Sequence, residues 1–171
     1  MLSKKIAALL NKQIEIEGNA SQIYLAMASW VEVQGYAGAA AFLYHHSDEE
    51  REHMLKLFRF VNERGAHALV PTIKASKTVF KSLGEIFESL LDHETKVSAE
   101  INKLVDACLA EKDYSTYHFL QWYVEEQIEE ERLARTVLDK FGLIGTDKGG
   151  LYLLDRELQA LSEATGKENK S

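Results

Sequence analysis

Residues 43–57 read Leu43-Tyr44-His45-His46-Ser47-Asp48-Glu49-Glu50-Arg51-Glu52-His53-Met54-Leu55-Lys56-Leu57, and the spacing inside this stretch decides the fold. Leu43, His46, Glu50, His53 and Leu57 recur at alternating intervals of three and four, which keeps one stripe of a helix facing a bundle axis. Leucines at both ends mark the stripe as core-facing, yet its centre is a carboxylate between two imidazoles. The helix that carries it is expected from about Gly38 to Arg64, with Gly65 as its stop signal.

The same interrupted seam recurs three more times. In a first helix, about Lys4 to Gln34 with Ser3 as N-cap candidate, it is Ile6, Leu10, Gln13, Glu17, Ala20, Tyr24, Met27 and Val31. In a third, about Ser82 to Lys112, it runs Phe80, Leu83, Phe87, Leu90, Glu94, Val97, Ile101, Leu104 and Cys108. In a fourth, about Tyr114 to Phe141 with Asp113 before it and Gly142 after it, it runs Thr116, Leu120, Tyr123, Gln127, Glu130, Ala134, Val137 and Phe141. Glu17, Glu50, Glu94 and Glu130 each fall near the middle of their own helix.

The connections set the topology. Short links between helices one and two, and between three and four, force antiparallel neighbours. The middle link around Pro71 has roughly 15 residues, which extended would span ~50 Å, more than the ~40 Å of a helix of about 27 residues. A full-length crossover is therefore expected between helices two and three. A short fifth helix, about Lys148 to Ser162, carries Leu151, Leu154, Leu158 and Leu161 on one face. Such a stripe must dock to persist, either on its own bundle or on partner copies. Residues 1–163 are read as a single all-α domain, a four-helix bundle plus that short helix, and residues 164–171 as a flexible tail.

Composition narrows the function. The chain has 171 residues, 46% hydrophobic and 27% charged, with one proline and one cysteine. That suits long helices and one domain with a real core. The lone Cys108 implies no disulfide framework. The apolar run Ile6 to Leu10 ends after five residues, with no small-residue cleavage site following, so the expectation is a cytoplasmic protein. No stretch approaches the ~18 apolar residues of a membrane span. A net charge of −7 gives no reason to bind nucleic acid or an anionic membrane, and favours cations as partners.

Four carboxylates converging inside a bundle repel one another, and each costs several kcal/mol to desolvate unless compensated. A multivalent cation supplies the compensation, and two fit a site that also offers Glu50 and His53 at i, i+3. Carboxylates with one imidazole and no thiolate suit Fe, Mn or Zn with open coordination positions. Glu50 is placed to bridge two ions, with Glu17 and His53 on one side and Glu94 and Glu130 on the other. Gln127, one turn before Glu130, is a weak ligand or a hydrogen-bonding group. His46 reads as a structural residue or one supporting the ligands, and His93 points away from its neighbour Glu94. The run Glu125, Glu126, Glu129, Glu131 reads most simply as a solvated acidic face, and Tyr24 and Trp122 equally well as packing.

In combination, Glu17, the segment Asp48-Glu49-Glu50-Arg51-Glu52-His53, Glu94 and the stretch WYVEEQIEEE from Trp122 to Glu131 resemble the bacterial non-haem ferritins. These belong to the ferritin-like di-iron carboxylate group, and the resemblance covers essentially the whole chain. It implies ferroxidase chemistry, with Fe(II) oxidised by O2 or H2O2 and stored as ferric mineral in a homo-oligomeric shell of twenty-four subunits. It implies Glu17, Glu50 and His53 around one iron, Glu50, Glu94 and Glu130 around another, and Glu49, Glu126, Glu129 and Glu130 at a third position. It also implies that Tyr24 and Trp122 supply electrons, and that the fifth helix packs around a symmetry axis of the shell. Apolar residues outside the seams, such as Leu2, Trp30, Val33 and Ile73, fit oligomerisation as well.

Two departures separate near relatives. Gln127-Ile128-Glu129-Glu130 stands where bacterioferritins and rubrerythrins carry a second Glu-x-x-His, and Arg51 stands where a haem-binding Met is expected, so no haem is expected. The alternatives are a rubrerythrin-like di-iron peroxidase, disfavoured by the first departure, and a non-catalytic assembly protein with a structural metal.

Overall fold

The computed structural model describes residues 1–168, with side chains through residue 163. Five helices are formed among the described residues: α1 Lys4–Val33, α2 Ala37–Glu63, α3 Leu83–Glu111, α4 Tyr114–Ile144 and α5 Lys148–Glu168. None is long and apolar enough to cross a membrane. Local chemistry sets their ends. The Ser3 and Ser82 hydroxyls accept from the N–H groups of Ile6 and Glu85, each at 3.1 Å, and the Asp113 carboxylate accepts from Thr116 N–H at 3.1 Å. Gly35, at φ 90°, makes the left-handed turn that reverses the chain between α1 and α2.

α1 packs on α2 and α3 on α4, as the short links require, and α1 also meets α3. Every α1, α3 and α4 seam position named above is buried, apart from a half-buried Phe141 at the far end of α4. On α2 the seam from Leu43 to Leu57 is buried as well and continues to Val61, beside a half-buried Phe60. The core falls into two apolar clusters. One holds Tyr24, Met27, Val31, Leu43, Phe87, Leu90 and Val137, and the other Ile6, Leu10, Ile14, Leu57, Ile101, Leu104 and Leu120. Between them lies the polar layer that the four interrupted seams predict.

The crossover is pinned along α1. Asn11 receives the Leu69 N–H on Oδ1 at 2.7 Å and donates to the His67 carbonyl at 3.1 Å. Two turns later, Asn19 Oδ1 accepts from Lys74 N–H at 2.8 Å. Each amide thereby replaces the β-ladder or helix partner that the link lacks.

Four expectations change at the periphery. α4 continues through Gly142 to Ile144, ending at Gly145 with φ 61°. The backbone of α5 is helical to Glu168 instead of ending near Ser162, and the remaining residues of the expected tail, 169–171, lie outside the described residues. The open question of where α5 docks is answered within one chain, because Leu154 and Leu158 are fully buried in the first cluster. Leu2 and Trp30, read as surplus, pack against their own core, while Val33 and Ile73 remain exposed.

α5 seats itself on the start of α2. The N-cap position of α2, Tyr36, offers no side-chain acceptor, and the Asp155 carboxylate from α5 takes that role, accepting from Gly38 N–H at 3.1 Å and Ala39 N–H at 2.8 Å. The helices approach so closely that a Cβ on Gly38 would stand 1.8 Å from the Asp155 carbonyl oxygen. Asp155→Ala is therefore expected to cost about 1 kcal/mol by thermal melting. Gly38→Ala should instead displace α5 and expose the Gly145–Lys148 turn to limited proteolysis; an unchanged digestion pattern would refute the docking.

Candidate metal centre

The polar layer is built from one stretch of each long helix. Glu17 and Glu94 are each 1% exposed, Glu50 4%, His53 5%, and Gln127 and Glu130 7%. One ligand atom from each of Glu17, Glu50 and His53 lies within 4.8 Å of the others, the separation a shared cation needs. His53 Nδ1 is 3.7 Å from Glu50 Oε2, as i, i+3 spacing dictates. Tyr123 donates its hydroxyl to the His53 carbonyl at 2.8 Å, and Trp122 packs edge-on against the His53 ring at 5.1 Å.

Each carboxylate has a companion. Gln13 donates to Glu17 at 2.8 Å across one turn of α1. Tyr24 donates its hydroxyl to Glu94 Oε1, and Gln127 Nε2 donates to Glu94 Oε2 at 3.1 Å. His46 Nδ1 donates to the Phe42 carbonyl at 2.9 Å, which leaves Nε2 facing Glu130 Oε2 at 3.4 Å. That oxygen is buried and makes no well-formed hydrogen bond.

Burial and mutual repulsion shape the protonation. Desolvation and then the Glu50 carboxylate hold Glu17 well above the usual carboxylate range; desolvation and then Glu94 do the same to Glu50. Desolvation, followed by repulsion from Glu130, pushes Glu94 up to about 7. Glu130 moves the other way: desolvation raises it, but the His46 imidazole outweighs that and its pKa is lowered. The same pairing raises His46 to about 9 against its own burial. Burial and the neighbouring Glu94 keep the Tyr24 phenol protonated far above its ordinary range.

Two further clusters flank the first. His46, Glu49 and Glu130 form one, and Glu49, His53 and Glu126 the other, each with ligand atoms within 4.8 Å. Glu49 and Glu126 thus join the layer from its half-exposed side, whereas Glu129 is exposed and belongs to none of these clusters among the described residues. Glu130 gathers with His46 and Glu49, while the pairing expected with Glu50 and Glu94 shows as electrostatic repulsion among the three. His46, expected from its spacing to be a structural or supporting residue, thus stands close enough to Glu49 and Glu130 to share a cation with them. Its signal was visible, since it stands four residues before Glu50 on the same seam. The donor set fits a cation: an orphaned buried carboxylate oxygen, carboxylates that retain protons for lack of counter-charge, and oxygen and imidazole donors without thiolate.

Comparison with known proteins follows the same line. The family profile described as "Ferritin-like domain" matches residues 7–144. A probable bacterial non-heme ferritin-like protein of Haemophilus influenzae is 46% identical over 162 residues, covering 95% of this chain and 98% of that one. A bacterial non-heme ferritin of Campylobacter jejuni is 44% identical over 162 residues, covering 95% and 97%. An open-pore ferritin from Archaeoglobus fulgidus superimposes with a TM-score of 0.91 at 38% identity, covering 93% of this chain and 98% of that one. The chain belongs to the ferritin family and is similar over nearly its whole length to bacterial non-haem members of it.

Proposed function

We propose that this protein stores iron, oxidising Fe(II) with O2 at the buried carboxylate centre and mineralising Fe(III) inside a hollow homo-oligomeric shell of twenty-four subunits in the cytoplasm. The observation that carries the reading is the Glu17–Glu50–His53 cluster, buried at mid-bundle with Glu94 and Glu130 beside it. Iron is the substrate. Glu17, Glu50 and His53 hold one ion and Glu50, Glu94 and Glu130 a second, with Glu50 shared. Glu49, Glu126, Glu129 and Glu130 form a third position on the exposed side of the layer, and His46 supports Glu130 there.

The chain's own groups supply the rest of the chemistry. Binding Fe(II) releases the protons that Glu17, Glu50 and Glu94 retain, so the charge of the layer changes little as ions arrive. Each Fe(II) then gives up one electron to oxygen. Gln127 can turn its amide between Glu94 and the reacting ions. The Tyr24 hydroxyl already donates to Glu94, so if the phenol yields an electron its proton has an acceptor in place. Trp122, against His53, is a second oxidisable ring. A structural metal in a non-catalytic bundle is the competing reading. It is separated by anaerobic Fe(II) titration followed by air, with absorbance and particle size recorded: two or three ions per chain, fast oxidation and a large hollow particle support storage, and redox-silent binding refutes it.

Two further outcomes are expected. Glu50→Ala or His53→Ala should leave the bundle folded, with a metal-free Tm equal to or above that of the parent, because a desolvated group is removed. The initial Fe(II) oxidation rate should fall at least about tenfold. A parental rate in either variant would dismiss the assignment. For the metal-free protein, the raised carboxylates give stability that is complete below about pH 4.5 and is lost as pH climbs through the folded values, near 7 for Glu94. Its Tm should drop on the order of 5 °C between pH 5 and 8, and Zn(II) should abolish the drop. A flat or rising profile would contradict the protonated layer.

A further inference from the structure

A cavity of about 460 Å³ lies outside the metal centre, between α1, α3 and the second half of the crossover. Its volume falls in the range of about 300–1,000 Å³ typical of small-molecule sites. The α1 side of its lining runs from Lys12 to Met27, four turns or roughly 22 Å along the axis, so the cavity is a trough parallel to the helix. α3 runs antiparallel to α1, since Tyr24 meets His93 and Trp30 meets Phe80.

The two ends of the trough differ in chemistry. Lys12, Glu15 and Lys74 gather at one end, Ile23, Met27 and Phe80 line the other, and Lys96 and Asp92 stand between them on α3. Glu15 is shared by two ammonium groups, Lys12 at 2.9 Å and Lys74 at 3.5 Å, while Lys96 is paired with Asp92. At that end two cations therefore face one carboxylate, an excess of one positive charge in a chain whose net charge is −7. Lys77, beside Phe80 at the apolar end, is neutralised by Glu85 at 2.6 Å. His93, on the α3 wall, has a buried Nε2 that makes no hydrogen bond among the described residues.

We propose that this trough binds a linear amphipathic anion. Its carboxylate head lies at Lys12 and Lys74, and an unbranched acyl chain of about ten carbons runs over Ile16 toward Ile23, Met27 and Phe80. One carboxylate cancels the one surplus charge. A trough four turns long favours a chain over a disc, and the apolar end removes methylenes from water at about 0.8 kcal/mol each. None of these residues belongs to the metal centre, so the inference stands or falls apart from the iron chemistry.

The test is calorimetric titration of the full chain in its native assembly, free of metal, with decanoate and in parallel with decanol. Decanoate is expected to bind saturably at one per chain, at least about tenfold more tightly than decanol. Exchanging both Lys12 and Lys74 for Gln should remove that preference and leave decanol binding unchanged. Ala75→Trp, at an exposed crossover position on the trough wall, should abolish binding of both ligands with an unchanged melting curve. Equal affinity for the two ligands, parental binding by Ala75→Trp, or no saturable binding to the assembly, as when a second copy covers the trough, would overturn the proposal.

Discussion

Like charge held in a place that water does not reach is the constraint on which the structure depends. Glu17, Glu50, Glu94 and Glu130 come from four different helices and meet in one layer, where a carboxylate loses hydration without gaining an apolar contact. The chain answers locally. Each acid has a companion within a turn or on the facing helix: Gln13 for Glu17, His53 for Glu50, Tyr24 and Gln127 for Glu94, and His46 for Glu130. Three companions are neutral donors and two are imidazoles, of which His46 meets Glu130 as an opposite charge.

Such a layer is tolerable because the apolar clusters on either side are complete in themselves. One is closed by Leu154 and Leu158 of α5, and the other runs through Leu57, Ile101 and Leu104 to Cys108. Neither crosses the polar layer, and the four helices are long enough to hold both. The price of the centre is thus spread over nearly thirty residues of each helix, which is why long uninterrupted helices and a single proline belong to the same design.

Much of this is legible in the chain because a seam is a one-dimensional signal. Leu10, Gln13, Glu17, Ala20 and Tyr24 name the face that points inward, and equal helix lengths name the level at which the faces meet. Partners across helices are a different kind of information. That His46 turns Nε2 to Glu130 depends on its Nδ1 being held by the Phe42 carbonyl, and a stripe of residues does not carry ring orientation. The path of the crossover was hidden for a similar reason: Asn11 and Asn19 look like ordinary exposed amides until the loop lies against them. The seat of α5 depends on Gly38 and Asp155, 117 positions apart in the chain. Periodicity finds faces; it does not find a close approach between two backbones.

The companions also bear on how a site can be both buried and reloadable. A closed structural metal site takes its folding energy from the ion, and its ligands have no other partner. Here Glu94 satisfies its oxygens with Tyr24 and Gln127, and Glu17 with Gln13, so the layer can fold on protein donors alone. An arriving cation therefore competes with existing hydrogen bonds and bound protons, which weakens its hold and lowers the barrier to its departure. That balance suits the proposed function, in which the ion moves on. Gln127 adds to that balance as a neutral donor to Glu94. An amide can donate to Glu94, turn aside and return without changing the charge of the centre, whereas a carboxylate at that position would add one more like charge to a layer that already holds four.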